Sequence, residues 1–320
     1  MTDLNVRQRP VAHRLSEPPG GPGSGWVARF QSWRRTTGPA AILFAIPIVL
    51  IFAYFSWGPI VQGLLMSLQK TNLVGPAEWV GIDNFSYVLS DPLLPTAALN
   101  TAWFALLALI VGFPAPIFLA VFMNELKKSG WIYSVLAYLP AVVPPVAAIL
   151  LWKIFYDPGA TGIFNTILGV VGLGPFPWLN STVMAMPSIV IEATWAGAGS
   201  TAIIYLAALT SVQTDLYEAA EIDGAGIWRK VWNITVPQLR SIILVMMLLQ
   251  LIGTFQLFTE PWLFTGGGPD NATLTIMLMV YQYAFVNGDF GAAAALSLVL
   301  AVFLCVLSGL YQMATKRWGD

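Results

Sequence analysis

The chain has 320 residues, of which 57% are hydrophobic and 10% are charged, and its formal net charge at pH 7 is −1. A mean hydropathy of +0.71 leaves too little polar surface for a soluble globular fold and indicates a membrane protein. The near-neutral charge argues against nucleic acid as a partner. Cys305 and His13 are the single cysteine and histidine, which excludes a disulfide framework and His-based catalysis.

The remaining composition also argues against enzymatic activity. No G-x-x-x-x-G-K-[ST] sequence occurs, so the chain lacks that type of phosphate-binding loop for ATP. We expect neither a metal nor an organic cofactor. An intramembrane enzyme is disfavoured because the apolar stretches contain no histidine and no matched nucleophile and base.

The first 38 residues are rich in proline and glycine, a composition that predicts a disordered cytoplasmic tail. Six apolar stretches follow, each long enough at about 20 residues to cross a hydrocarbon core. They are predicted at residues 40–67, 98–122, 135–156, 187–210, 239–262 and 290–313. The predicted fold is an all-α membrane domain of six transmembrane helices at residues 39–315, with a short cytoplasmic tail at residues 316–320.

The positive residues predict the orientation of these spans. If the N terminus is inside, only Lys70 and Lys153 of the 15 Lys and Arg residues lie outside, which leaves 13 inside. Because cytoplasmic loops carry an excess of Lys and Arg, we expect both termini in the cytoplasm. The loop at residues 211–240, between the fourth and fifth spans, is then cytoplasmic as well.

This cytoplasmic loop contains a long polar stretch from Asp215 to Pro237. Asp215 is predicted to cap a short helix, with Glu218 completing a capping box. Gly224 is predicted to end that helix with a positive φ angle, which glycine adopts without strain. A second short helix should follow and should end or bend at Pro237, which has no backbone N–H to donate.

The loop resembles the EAA loop of permease subunits in bacterial ABC importers of the carbohydrate-uptake branch. The matching residues are Glu218, Ala219, Ala220, Asp223, Gly224, Ala225, Ile234 and Pro237. Val236 and Trp232 replace the leucine and phenylalanine that are usual in the family, and both keep a bulky apolar side chain. The resemblance implies a MetI-like permease fold in which this loop is a coupling helix that docks on an ATP-hydrolysing subunit.

The same resemblance implies a function and a set of partners. The chain would form half of the transmembrane pathway for a sugar or related polyol in the bacterial inner membrane. A second homologous permease, two ATPase subunits and an extracytoplasmic solute-binding protein would complete the complex, with membrane lipid around it.

Four residues near the outer side are candidates for contact with the transported substrate: Glu192, Trp195, Gln256 and Glu260. Carboxylates are costly in a membrane and often functional, and a carboxylate or amide beside an aromatic ring suits a sugar. Two structural alternatives remain open. Glu260 would lie in the wet interface, and Glu192 would pair with a polar group of a companion subunit. The small residues at positions 196–200 predict close helix packing.

Two other transport functions are weighed against this interpretation. An ion-coupled secondary transporter usually shows inverted repeats and intramembrane ionisable groups, and we find no repeat. An ABC permease for glycerol phosphate esters is also considered. A dianionic substrate would require an intramembrane Arg or Lys, and the predicted spans contain none away from their ends.

Overall fold

The structure is a computed structural model that describes residues 38–125, 130–210 and 212–319. Of the N-terminal tail predicted at residues 1–38, only Gly38 is among the described residues. The described part of the chain divides into two units, of which the first ends at Val61 and the second begins at Gln62.

The described residues are almost entirely helical. In chain order the α-helices are α1 (Gly38–Phe52), α2 (Gly58–Ser67), α3 (Asp83–Leu89), α4 (Leu94–Leu107), α5 (Pro114–Glu125), α6 (Gly130–Val142), α7 (Pro145–Phe155), α8 (Ile163–Gly169), α9 (Ala185–Leu209), α10 (Thr214–Ile222), α11 (Ile227–Lys230), α12 (Val236–Phe255), α13 (Thr259–Thr265), α14 (Ile276–Tyr281) and α15 (Phe290–Gly319). Two short strands, β1 (Gln69–Lys70) and β2 (Glu78–Trp79), pair antiparallel, with Gln69 opposite Trp79.

Five helical segments of the described chain are long and apolar enough to cross a membrane, and the count is six if a bent pair of helices is taken as one span. The five are Leu43–Ser67, Leu94–Glu125, Ala185–Leu209, Ile227–Phe255 and Phe290–Lys316. The predicted third span is the bent pair, in which α6 and α7 meet at 96°. Pro144 causes this break because it precedes Pro145 and takes an extended ψ of 131°. The all-α membrane fold predicted from the sequence is confirmed.

Two predicted boundaries differ from the structure. The fifth span was expected at residues 239–262, but its helix begins at Ile227 and ends at Phe255, and a separate helix, α13, follows. The last helix continues to Gly319, through most of the residues that were assigned to the C-terminal tail.

Three spans contain a π-helical turn that ends two residues before a proline. The turns are Ala53–Trp57 before Pro59, Ala108–Gly112 before Pro114, and Val231–Thr235 before Pro237. A proline in a regular α-helix clashes with the carbonyl group four residues earlier and cannot bond to it. The wider π turn inserts one residue at this point, so the helix continues through the proline with a modest distortion.

The helix α9 is the centre of the second unit and packs against α5, α6 and the π turn Ala108–Gly112. A Cβ atom placed on Gly199 would lie 1.7 Å from the carbonyl oxygen of Ala137 in α6. The two backbones therefore approach as closely as only glycine permits. This contact confirms the close packing predicted from the small residues at positions 196–200.

Side-chain hydrogen bonds hold two loops, the one that follows α8 and the one that follows α13. Asn165 is buried, and its Oδ1 accepts from the backbone N–H of Phe176 and from Nε1 of Trp178, at 2.9 and 3.0 Å. In the loop after α13, the hydroxyl groups of Thr265 and Thr273 lie 2.6 Å apart, and Thr273 also donates to the Gly268 carbonyl. Both loops are thus fixed relative to the helices that carry them.

Candidate coupling surface and transport cavity

The helix α10 carries three of the predicted coupling residues, and none of its side chains is buried. It begins at Thr214, with Gln213 at the cap position and no side-chain cap hydrogen bond. The capping box predicted for Asp215 and Glu218 is therefore wrong, because the helix starts two residues earlier than expected. Asp215 instead lies in the first turn, where a negative charge still interacts favourably with the helix dipole.

The C-terminal end of α10 confirms the turn predicted at Gly224. This residue has a φ angle of +70°. Its N–H bonds to the Glu221 carbonyl at 3.0 Å, and the N–H of Ala225 bonds to the Ala220 carbonyl at 2.9 Å. These two bonds form a Schellman motif, which satisfies the last carbonyl groups of the helix. The exposed helix and its turn form a surface that we call the coupling surface, residues 214–225.

Two polar contacts attach the coupling surface to the next helix. The Nζ atom of Lys230 lies 3.0 Å from Oε1 of Glu221, and the Tyr217 hydroxyl lies 3.0 Å from that of Thr235. Lys230 is only 8% exposed, so loss of Glu221 would remove the carboxylate that bonds to a largely buried cation. The sequence analysis missed both pairs because their members are nine and eighteen residues apart.

The helix that starts at Ile227 does not end at Pro237, and it is not the short helix that the sequence predicted. It passes through the π turn Val231–Thr235 and continues as α12 to Phe255. The last two predicted coupling residues lie on this helix, where Ile234 is half-buried and Pro237 is exposed. One continuous helix therefore connects the coupling surface with the interior of the second unit.

A hollow of about 350 Å³ lies between α4 and α5, α9 and α12. Its lining residues are Phe104, Ala108, Gly112, Pro116, Val190, Ala193, Thr194, Gly197, Ala198, Thr201, Met246, Leu249, Gln250, Gly253 and Thr254. The polar side chains among them are three threonines and one glutamine, and none of these lining residues is charged. We call this hollow the central cavity, and its chemistry suits hydroxyl groups rather than ions.

Gln250 is fixed within the central cavity by the π turn of the facing helix. Its Nε2 atom donates to the carbonyl oxygen of Ala108 at 2.9 Å. A Cβ atom on Gly112 would lie 3.2 Å from both Nε2 of Gln250 and Oγ1 of Thr194. The absence of a side chain at position 112 therefore leaves room for these two polar groups.

Comparison with known proteins identifies the family. The family model described as "Binding-protein-dependent transport system inner membrane component" matches residues 112–320, which include the coupling surface and most of the lining of the central cavity. The chain belongs to this family. The resemblance stated from the loop residues is thereby confirmed, and the protein is a permease component.

Relatives of this permease match over nearly its whole length. The arabinooligosaccharides transport system permease protein AraP of Bacillus subtilis is 33% identical over 287 residues, which are 89% of this chain and 90% of the relative. The lactose transport system permease protein LacF of Rhizobium radiobacter is 33% identical over 282 residues, 86% and 93% of the two chains. The chain also matches a crystal structure of a bacterial alginate ABC transporter in complex with an alginate pentasaccharide-bound periplasmic protein. The TM-score is 0.78 and the sequence identity is 25%, and the match covers 91% of this chain and 98% of that one.

The four substrate candidates predicted from the sequence do not line the central cavity of this permease. Glu192 is buried in α9, 2% exposed, and its Oε2 atom has no hydrogen-bond partner among the described residues. Trp195 lines a separate groove and packs against Trp152, with ring centroids 5.4 Å apart. Gln256 is exposed at the end of α12, and Glu260 is half-buried in α13. A substrate role for these four residues stays a prediction.

The sequence analysis missed the polar residues that do line the central cavity of the permease. They are Thr194, Thr201, Gln250 and Thr254. A signal for them is present, because Gln250 and Thr254 are four residues apart and therefore share a helix face. Thr194 and Thr201 are seven residues apart and share a face in the same way. The prediction started from the two carboxylates, Glu192 and Glu260, and from their neighbours Trp195 and Gln256, and so did not include this uncharged pattern.

Proposed function

We propose that this permease forms one half of the membrane pathway of an ATP-driven importer for a neutral sugar or related polyol. The observation that carries the proposal is the continuous helix Ile227–Phe255, which joins the exposed coupling surface to the central cavity. The chain itself acts as a transport component and not as an enzyme, in keeping with its family. ATP hydrolysis takes place on other subunits, because the sequence contains no phosphate-binding loop.

The proposed complex contains a second homologous permease, two ATPase subunits and an extracytoplasmic solute-binding protein. An exposed helix with no buried side chain, capped by a tight turn, has the form of an element that docks into a partner. A binding protein as a further partner is supported by the related alginate transporter, whose structure contains a periplasmic protein.

The contacts of the coupling surface support a mechanism of alternating access. Glu221 and Tyr217 on α10 hold Lys230 and Thr235 on the next helix. When an ATPase pair closes and displaces α10, these contacts transmit the movement to the helix that begins at Ile227. The same helix contributes Gln250 and Thr254 to the central cavity about 30 Å further along, at a rise of about 1.5 Å per residue. Movement at the cytoplasmic end therefore changes access to the cavity.

The chemistry of the cavity favours an uncharged, hydroxyl-rich substrate. Threonine and glutamine side chains donate to and accept from sugar hydroxyl groups. The relatives named for arabinooligosaccharides and lactose support this class. A glycerol phosphate ester is a weaker candidate, because no Lys or Arg is present among the cavity residues to neutralise a phosphate. An ion-coupled transporter is disfavoured by membership of the binding-protein-dependent family.

In the proposed orientation both termini face the cytoplasm. The support is the distribution of Lys and Arg described above. In a Cys305→Ala background, single cysteines at Pro92 and Ser181 should react with a membrane-impermeant thiol reagent added outside intact cells. Cysteines at Thr2 and Gly319 should react only after the cells are opened. Labelling of Thr2→Cys from outside would contradict the orientation.

The proposed function is tested by uptake into proteoliposomes that contain the permease with its partner permease, ATPases and binding protein. We expect ATP-dependent accumulation of at least one sugar from a panel of lactose, maltose, trehalose and arabinotriose. Gln250→Leu should lower the rate about tenfold, since loss of one hydrogen bond to a bound sugar costs about 1–1.5 kcal/mol.

Gln256→Leu is the matched control because it makes the same change at the C-terminal end of the same helix, outside the central cavity. If it alone lowers uptake, the pathway follows the four residues predicted from the sequence and not the cavity. If ATP drives no uptake of any sugar while glycerol phosphate accumulates, the proposed substrate class is wrong.

A further inference from the structure

A second hollow, of about 550 Å³, lies between the loops that follow α8 and α13. Its wall includes Lys153, Asn180, Trp262, Thr265 and Pro269. This hollow combines polar side chains with a tryptophan, a residue type that does not occur in the lining of the central cavity. We call it the loop hollow. In the proposed orientation it opens to the outside, where a binding protein delivers its substrate.

Trp262 is the large aromatic surface of the loop hollow. Its ring stacks on Phe258, with centroids 5.4 Å apart and an interplanar angle of 15°, and its centroid is 5.2 Å from that of Tyr281. These contacts fix the plane of the indole, yet the side chain remains 41% exposed. A fixed and partly exposed indole presents a π surface at little cost in conformational entropy.

Polar groups are held beside this ring by the loop structure. Nζ of Lys153 donates to the carbonyl oxygen of Leu263 at 3.1 Å, which leaves further ammonium N–H groups available. Asn180 is the last residue of a 3₁₀ turn that follows the loop fastened by Asn165. The Thr265 and Thr273 hydroxyl groups, 2.6 Å apart, hold the opposite loop. The wall is therefore preorganised.

We propose that the loop hollow is a carbohydrate subsite that receives one sugar unit before it passes to the central cavity. The indole of Trp262 stacks on the C–H face of the sugar ring, and Lys153 and Asn180 donate hydrogen bonds to its hydroxyl groups. At about 550 Å³, the hollow has room for a sugar ring. This inference rests on the proposed function. It adds a second binding site, which selects for sugars before transport.

The test uses the complete complex in lipid nanodiscs, without the binding protein, and lactose, maltose and arabinotriose as probes. Saturation-transfer NMR should detect contact between wild type and the probe sugar that is also taken up. Trp262→Phe keeps a stacking face and should retain most of the signal, whereas Trp262→Leu keeps only apolar volume. We expect Trp262→Leu to reduce the signal and the uptake rate roughly three- to tenfold.

Trp131→Leu is the control, because Trp131 is an exposed tryptophan, 72% accessible, in a different helix away from the loop hollow. It should leave both readings unchanged. Wild-type signal and uptake in Trp262→Leu would overturn the subsite while the proposed function stands. Equal losses in the Phe and Leu variants, with lower thermal stability in both, would show that Trp262 is only a membrane anchor. If wild type takes up no sugar at all, the proposed function fails, and the subsite with it.

Discussion

Replacing Gly224 with aspartate is expected to abolish ATP-driven uptake while the permease still folds and enters the membrane. Gly224 has a φ angle of +70°, which costs most side chains about 1–2 kcal/mol and aspartate less. No atom of the chain lies within 4 Å of a Cβ placed there, so the fold has space for the new side chain. The effect should therefore fall on the docking of the coupling surface. We expect uptake and binding-protein-stimulated ATP hydrolysis to fall at least tenfold.

Gly226→Ala is the matched control for this prediction. Gly226 lies two residues further on, has an ordinary φ angle of −68°, and likewise has no atom near its Cβ position. It should support uptake close to wild type. Glu218→Lys provides a second disruption, because it reverses a charge on the exposed helix α10. Wild-type assembly, stimulated hydrolysis and uptake in both Gly224→Asp and Glu218→Lys would show that this surface does not couple transport to ATP.

Replacing Gly199 with alanine is expected to cost more stability than the same replacement at any other glycine that the structure describes. The new Cβ atom would lie 1.7 Å from the carbonyl oxygen of Ala137 and 2.5 Å from its carbonyl carbon. Backbone atoms cannot rotate away as a flexible side chain does, so α9 and α6 must separate. We expect a cost of about 3 kcal/mol. Thermal unfolding of the detergent-solubilised protein, followed by size-exclusion chromatography, measures this loss.

Gly197→Ala is the control in the same helix, since its Cβ atom would meet nothing within 4 Å. It should match wild type in thermal stability, or exceed it slightly because alanine favours helix more than glycine. Gly197 lines the central cavity, so only its transport rate is expected to change. Equal stability of the two alanine variants would mean that α6 and α9 do not pack as the structure places them.

The sequence by itself determined those features that depend on local chemistry. The length and apolar character of each stretch identified the spans, because a helix must cover about 30 Å of hydrocarbon whatever it packs against. Gly224 was identified as the end of α10 because few other residues adopt a positive φ angle at low cost. The family resemblance came from the same loop, where docking residues are close together in the chain.

Only the tertiary structure decided which residues come together across the chain. Gln250 meets the carbonyl group of Ala108, 142 residues away, because a π turn widens the facing helix at that point. A π turn also carries the fifth span through Pro237, where the proline rule alone predicted an end or a bend. Glu192 was predicted to contact the substrate because it is a charged residue in a span. Its side chain is buried, and the uncharged Thr194 lines the cavity instead. Packing between helices decides which face of an apolar helix meets a partner. The composition of one helix does not determine which helices pack against it.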